Sequence, residues 1–115
     1  MWLTKPFLNL VVYLINFGYQ VTCQVTTISD FLQSKSLGSI DLLKIDAERA
    51  ELDILRGIKP ADWPKIRQVV IELHHGKRDL ALVKDLLKTQ GFSTVEAEYE
   101  LGLEDNELLT VYALR

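Results

Sequence analysis

Short apolar runs alternate with amphipathic segments along this chain, and the alternation predicts strands separated by helices. Residues 40–46 (IDLLKID) form an apolar run closed by an acid, as expected of a parallel strand buried on both faces. Residues 67–73 (RQVVIEL) give the strongest strand signal, since four of the seven are Val, Ile or Leu. Residues 21–27 (VTCQVTT) are rich in β-branched side chains and are predicted to form a further strand.

Three helices are predicted along the same stretch. A short helix is predicted around Phe31, and either Ser29 or Asp30 is expected to cap it. A second covers residues 50–56 and ends at the glycine that follows. The third is predicted to end at Gly91, because helices commonly end at a glycine in the left-handed backbone conformation. Its apolar residues recur at helical spacing: Leu80, Val83 and Leu87, with Leu82 and Leu86 beside them.

The end of the sequence favours a hairpin. Residues 92–98 and 108–114 read as two strands that flank a polar turn at residues 102–106, so they are expected to pair antiparallel. Strand, helix, strand, helix and a closing hairpin describe an α/β fold with an open sheet and right-handed crossovers. In such sheets ligands bind outside the carboxyl ends of the strands, which directs the search for a site.

Composition narrows the classes of function. The 115 residues are 48% hydrophobic and 25% charged, which is typical of one small globular domain. A net charge of −3 offers no positive surface that would favour nucleic acid binding. The apolar run at residues 7–17 is shorter than the roughly 20 residues that span a bilayer. Cys23 is the single cysteine, so no intrachain disulfide can form. We therefore expect a cytoplasmic protein without a nucleic-acid or membrane partner.

Acids and histidines follow two neighbouring predicted strands. Asp46 and Glu48 lie at the carboxyl end of the first, whereas Glu72, His74 and His75 lie at the carboxyl end of the second. Both clusters should face one crevice, with Glu72 and His74 on the same face of their strand. A carboxylate after three apolar residues in a buried strand needs a raised pKa or a specific partner, which marks Glu72.

Structural roles can account for the same residues. Asp46 could cap the helix that follows it, with Glu48 and Glu51 favoured in its first turn by the helix dipole. His74 and His75 could be solvated loop residues. The acids at the end of the chain resemble a solvated, edge-protecting face: Glu96, Glu98, Glu100 and Glu104. Metal ligation is chemically open to the acid and histidine cluster, but clustering at a strand edge does not show convergence on one point, and we assign no metal.

Two segments resemble the C-terminal half of the FkbM-type methyltransferases, which are S-adenosylmethionine-dependent O-methyltransferases often found in natural-product pathways. They are residues 40–58 (IDLLKIDAERAELDILRGI) and 62–75 (DWPKIRQVVIELHH), and the second resembles copies in polyketide and peptide assembly lines. A Glu-x-His, a Gly-Phe and a closing Val-Tyr-Ala-Leu-Arg extend the resemblance to residues 21–115. The family pattern Leu-Lys-Ile-Asp-x-Glu-x-x-Glu is matched by Leu43, Lys44, Ile45, Asp46, Glu48 and Glu51.

The resemblance implies a partial Rossmann-like class I methyltransferase sheet at residues 21–115, with residues 1–20 an unassigned apolar segment. It also implies S-adenosylmethionine as cofactor and a hydroxyl acceptor on a natural product or sugar-like compound, either small or carrier-bound. Asp46 and Glu48 would lie beside the methyl donor. His74 would be the base, with Asp46 and Glu72 as further catalytic residues.

Two departures from the family pattern matter. Arg49 stands where members commonly have Gly, and no Gly-rich cofactor turn precedes residue 21. We therefore expect weak or absent cofactor binding by this chain alone, and a polypeptide that supplies the N-terminal half is an expected partner. Three hypotheses stay open: an incomplete methyltransferase domain, an active enzyme whose N-terminal segment replaces the turn, and a non-enzymatic α/β interaction module.

Overall fold

The computed structural model describes residue 18, residues 22–99 and residues 107–115. The predicted apolar segment at residues 7–17 and the turn at residues 102–106 lie outside these ranges. Within the described ranges the elements are α1 (Ile28–Ser34), β1 (Leu43–Ile45), α2 (Glu51–Arg56), a 3₁₀ turn (Trp63–Lys65), β2 (Gln68–Leu73), α3 (Gly76–Thr89), β3 (Thr94–Tyr99) and β4 (Leu109–Leu114).

The described strands form a four-stranded sheet in the order β1-β2-β4-β3. β1 runs parallel to β2, with Leu43 opposite Val69 and Ile45 opposite Ile71. β4 lies antiparallel to both β2 and β3. The parallel pair joined through a helix and the antiparallel pair at the end confirm the predicted α/β class and a partial methyltransferase-like architecture.

The core lies on one face of this sheet. Alternation along β2 sends Val69, Ile71 and Leu73 into the core, where each is at most 1% exposed. Leucines of α2 and α3 meet them there, because both helices carry an apolar stripe toward this face. The opposite face is more open: Val70 is half-buried, and Tyr112 and Leu114 of β4 are exposed.

The predicted strand at residues 21–27 is wrong for its described part. Residues 22–27 form no strand, and Val25 is 93% exposed. β-branched side chains favour a strand only where a neighbouring strand accepts the ladder hydrogen bonds, and no such ladder forms here. The capping prediction is also corrected, because Thr27 caps α1 by accepting a hydrogen bond from the Asp30 N–H at 3.0 Å.

β1 is shorter and less buried than predicted. Its ladder spans three residues, and an isolated bridge between Ile40 and Ile66 extends the pairing at its start. Lys44 points to the open face and its side chain is 59% exposed, so the strand is not buried on both faces. Since α2 and α3 cover one face only, the other face of the described sheet stays accessible.

Other predicted features are confirmed. α3 buries Val83 and Leu87, and Gly91 after it has the expected left-handed conformation with φ of 90°. Glu96 and Glu98 are exposed on β3, whereas Glu100 and Glu104 lie outside the described ranges. Within those ranges, no helix combines the length and the apolar character that crossing a bilayer requires.

Candidate functional site

The acids after β1 and the histidine after β2 come together, as the strand-end rule predicts. Parallel pairing of Ile45 with Ile71 places the two carboxyl ends side by side. The Nε2 atom of His74 lies 3.5 Å from the Glu48 Oε2 atom and 4.0 Å from the Asp46 Oδ1 atom. The His74 side chain is 18% exposed, so it is sheltered yet reachable from solvent at the strand ends. The crevice is the region between Asp46, Glu48 and His74.

The closest partner of His74 is a residue that the sequence analysis did not assign to the site. Glu51 opens α2, and its Oε1 atom lies 2.6 Å from the His74 Nδ1 atom. The same oxygen accepts the backbone N–H of Arg49 at 3.0 Å. Glu51 is 1% exposed. Its place in the Asp-x-Glu-x-x-Glu pattern was the available signal, but helix position alone suggested a solvated first-turn acid.

The two groups shift each other toward their charged forms. Burial opposes ionisation of Glu51, but hydrogen bonds from the backbone N–H groups of Arg49 and of Glu51 itself, together with His74, lower its pKa overall. The hydrogen bond to Glu51 raises the pKa of His74, partly offset by burial, and the charges of Glu51, Glu48 and Asp46 raise it further. The result is an imidazole whose protonated form is stabilised by surrounding carboxylates.

Glu72 has the specific partner that its position demanded. The Lys44 Nζ atom lies 3.5 Å from the Glu72 Oε1 atom, across the parallel pair on the open face. Donor atoms of Asp46, Glu72 and His74 lie within 4.8 Å of one another, a spacing at which a cation could bridge them. Lys44 pairs with Glu72, and Glu51 contacts the other ring nitrogen of His74, so ion pairs and hydrogen bonds already engage part of this cluster. We assign no metal to it.

The structure also shows whether Asp46 caps the following helix and where His75 lies. Ala50 precedes α2 as its N-cap without a side-chain hydrogen bond, so Asp46 does not cap that helix. His75 points elsewhere than His74, because its Nδ1 atom lies 3.3 Å from the Glu107 Oε2 atom. Asp46 is thereby left free of a capping role, and His75 is separated from the crevice.

The turn between β1 and α2 has an uncommon backbone. Glu48 has φ of 47° and Arg49 has φ of 83°, both in the left-handed region that favours glycine. This turn carries Asp46 and Glu48 to the crevice and directs the Arg49 N–H toward Glu51. Strained backbone of this kind persists where the surrounding contacts fix it, and it concentrates at functional sites.

Comparison with known proteins identifies the family of this chain. A family model described as a methyltransferase FkbM domain matches residues 5–94. This chain belongs to the FkbM methyltransferase family. The match begins at residue 5, so it takes in part of the segment that the sequence analysis left unassigned.

Several proteins align with most of the chain. It is 40% identical over 98 residues to the 31-O-demethyl-FK506 methyltransferase FkbM of Streptomyces tacrolimicus. This alignment covers 85% of this chain and 37% of that protein. It is 36% identical over 98 residues to Methyltransferase 1 of Beauveria bassiana, covering 84% and 39% of the two chains. A third relative is the AMB antimetabolite synthetase AmbE of Pseudomonas aeruginosa, 37% identical over 99 residues, with 81% and 5% covered.

The chain therefore spans less than two fifths of the length of each of these relatives. No solved structure matches it.

Proposed function

We propose that this chain supplies the acid and histidine part of an S-adenosylmethionine-dependent O-methyltransferase site. The acceptor in this proposal is a hydroxyl group of a natural product or sugar-like compound, either small or carrier-bound. The observation that carries it is the position of His74, whose Nε2 atom meets the carboxylates of Glu48 and Asp46 where two parallel strands end. Membership of the FkbM methyltransferase family supports the reaction class.

The chemistry of the crevice fits one part of the cofactor. S-adenosylmethionine carries a sulfonium and an ammonium group, and both cations are attracted to a cluster of carboxylates. The side chains of Asp46 and Glu48 are 44% and 86% exposed, so either can face a bound molecule. These two residues would hold the cationic end of the cofactor, which supplies the methyl group to be transferred.

His74 is suited to remove the acceptor proton. As the acceptor oxygen forms its bond to the methyl group, its proton has to pass to a nearby base. Neutral His74 has a lone pair to accept that proton, and the charges of Glu51, Glu48 and Asp46 stabilise the imidazolium that results. Positioning of the hydroxyl supplies the larger share of such a rate enhancement.

A second candidate is a non-enzymatic α/β interaction module that retains the scaffold. The open sheet face favours it, because Tyr112 and Leu114 are 43% and 48% exposed. For the methyltransferase, by contrast, a polypeptide that carries a Gly-rich cofactor turn is the expected partner. Cys23 is free and exposed, which suits the reducing cytoplasm.

The deciding experiment joins this chain to the N-terminal part of an FkbM relative and measures methyl transfer to a hydroxyl acceptor. His74→Gln should lower kcat by about 10² to 10⁴, the usual effect of losing a general base. Asp46→Asn should also lower the rate, because it removes a charge that would hold the cationic end of the cofactor. Since Asp46 does not cap α2, the loss of a helix cap cannot account for such a decrease.

His75→Gln is the matched control, since His75 contacts Glu107 and lies away from the crevice. It should leave the rate nearly unchanged. Normal methylation by both Asp46→Asn and His74→Gln would show that this site is structural and would favour the interaction module.

A further inference from the structure

Glu51 is a buried carboxylate with two partners on a single oxygen. Its Oε1 atom accepts the Arg49 N–H at 3.0 Å and lies 2.6 Å from the His74 Nδ1 atom. Burying a carboxylate is costly unless such partners compensate for the lost water. The family pattern places Glu51 near the site, but nothing in that pattern says what the residue does.

We propose that Glu51 is a positioning residue that keeps a proton on His74 Nδ1 and thereby presents the bare Nε2 atom to the crevice. For its catalytic consequence this inference rests on the proposed function, in which His74 is the base. The assignment of the proton itself depends only on the geometry of the two side chains.

The geometry identifies which nitrogen carries the proton. An ionised carboxylate only accepts hydrogen bonds, so a nitrogen 2.6 Å from it must donate. Among the described residues, the other nitrogen, Nε2, has no carboxylate closer than 3.5 Å. In the neutral ring Nδ1 therefore carries hydrogen and Nε2 keeps its lone pair, the form a general base needs. Burial raises the pKa of Glu51, but its hydrogen bonds lower it by more, which is consistent with an ionised Glu51 carboxylate beside His74.

The same contact fixes the orientation of the ring. Glu51 is the first residue of α2 and is packed in the core, so its carboxylate has little freedom to move. The turn through Glu48 and Arg49 adds the backbone N–H that holds the same oxygen. A fixed acceptor on Nδ1 leaves Nε2 aimed at the carboxyl ends of the strands. Hydrogen-bond partners of functional histidines commonly orient the ring in this way.

Other charges also face His74, and those of Glu48 and Asp46 add to the rise of its pKa. Asp46 and Glu48 reach it from the turn after β1, and Glu72 reaches it from β2. Lys44 on β1 pairs with Glu72 and offsets part of that negative charge. Glu51 differs from all of these because it alone is buried and in direct hydrogen-bonding contact with the ring.

The first test needs no variant. ¹⁵N NMR of the imidazole in the unmodified chain, above the pH at which His74 titrates, distinguishes a protonated Nδ1 from a protonated Nε2. We expect the proton on Nδ1. A neutral His74 with its proton on Nε2 would overturn the proposal.

The second test removes the charge of Glu51. In Glu51→Gln the pKa of His74 should fall by about 1 unit or more, because an adjacent opposite charge shifts a pKa by about 1 to 3 units. Asp53→Asn is the matched control, since Asp53 lies on the same helix with its side chain 83% exposed. It should leave the titration of His74 nearly unchanged. An unchanged pKa in folded Glu51→Gln, or an equal fall in Asp53→Asn, would contradict the proposal.

The enzymatic consequence is measured in the fusion described above. Because the folded pKa of His74 is raised above its ordinary 6.5, the rate should increase with pH above 6.5 as the base is freed. In Glu51→Gln this rise should move to lower pH, with kcat reduced more than KM is raised. If His74→Gln has no effect on the rate while the NMR result holds, the proposed function fails and the positioning of His74 stands. If His74→Gln is inactive while Glu51→Gln behaves as the unmodified enzyme, the positioning proposal fails alone.

Discussion

At the level of single residues, the turn before α2 combines function with backbone strain. Glu48 and Arg49 both occupy the left-handed region, where non-glycine residues cost about 1 to 3 kcal/mol each. The sequence resemblance implies glycine at the position of Arg49, and a φ of 83° is a conformation that glycine adopts without strain. This chain tolerates arginine there because the hydrogen bond of its N–H to Glu51 holds the turn.

Replacement of Arg49 by glycine should therefore stabilise the chain. Glycine removes the strain of about 1 to 3 kcal/mol but adds freedom to the unfolded chain, worth roughly 0.5 to 1 kcal/mol, so we expect a net gain of up to about 2.5 kcal/mol in the free energy of unfolding. Denaturant unfolding measures it. Arg49→Ala keeps a Cβ atom and should give no gain. Equal stabilisation by both substitutions would mean that the arginine side chain, and not the backbone, causes the strain.

At the level of elements, α3 starts hard against the beginning of β4. The Gly76 N–H donates to the Glu107 carbonyl at 2.7 Å. A Cβ atom at Gly76 would clash with that carbonyl and lie 2.6 Å from the Leu109 Cδ2 atom. The end of β4 is fastened as well, since the Arg115 guanidinium donates to the carbonyls of Trp63 and Ile66, each at 2.7 Å. These contacts set where the helix and the sheet meet.

Gly76→Ala should accordingly weaken the domain. The added methyl has to displace backbone and a buried leucine, and overpacking of this kind costs about 1 to 3 kcal/mol. Gly38→Ala is the matched control, because an added Cβ atom there meets nothing within 4 Å. Comparison of the two midpoints in urea checks the prediction, and equal stability of the two variants would refute it.

At the level of the whole molecule, the two edges of the described sheet differ. β3 forms one edge and carries exposed Glu96 and Glu98, which discourage pairing with another chain. β1 forms the other edge, next to Leu42, which is 56% exposed. Association is therefore expected at β1 and not at β3.

Self-association through β1 can be followed by light scattering. We expect these 115 residues to associate at tens of micromolar, and Leu42→Glu should weaken the association by placing a charge beside the edge. Tyr99→Glu, on the opposite edge, is the control and should change it little. A stable monomer at these concentrations would contradict the prediction.

Cofactor affinity is the second property of the whole molecule. The 115 residues contain six glycines, and no two of them form a Gly-x-Gly turn. We therefore expect calorimetry to detect no binding of S-adenosylmethionine tighter than about 100 μM, roughly −5.5 kcal/mol. Tighter binding would support the hypothesis that the segment before residue 21 takes the place of a Gly-rich turn.

The sequence by itself determined the α/β class, the strand at β2, the glycine after α3 and the meeting of Asp46, Glu48 and His74. These features follow from local properties: apolar periodicity, the conformational freedom of glycine, and the rule that parallel strands present their carboxyl ends together. The tertiary structure decided the rest, including the burial of Glu51 against His74, the pairing of Lys44 with Glu72, and the absence of a strand at residues 22–27. Glu51 and His74 are 23 positions apart, so whether an acid is a solvated cap or a buried hydrogen-bond partner depends on which distant residue packs against it.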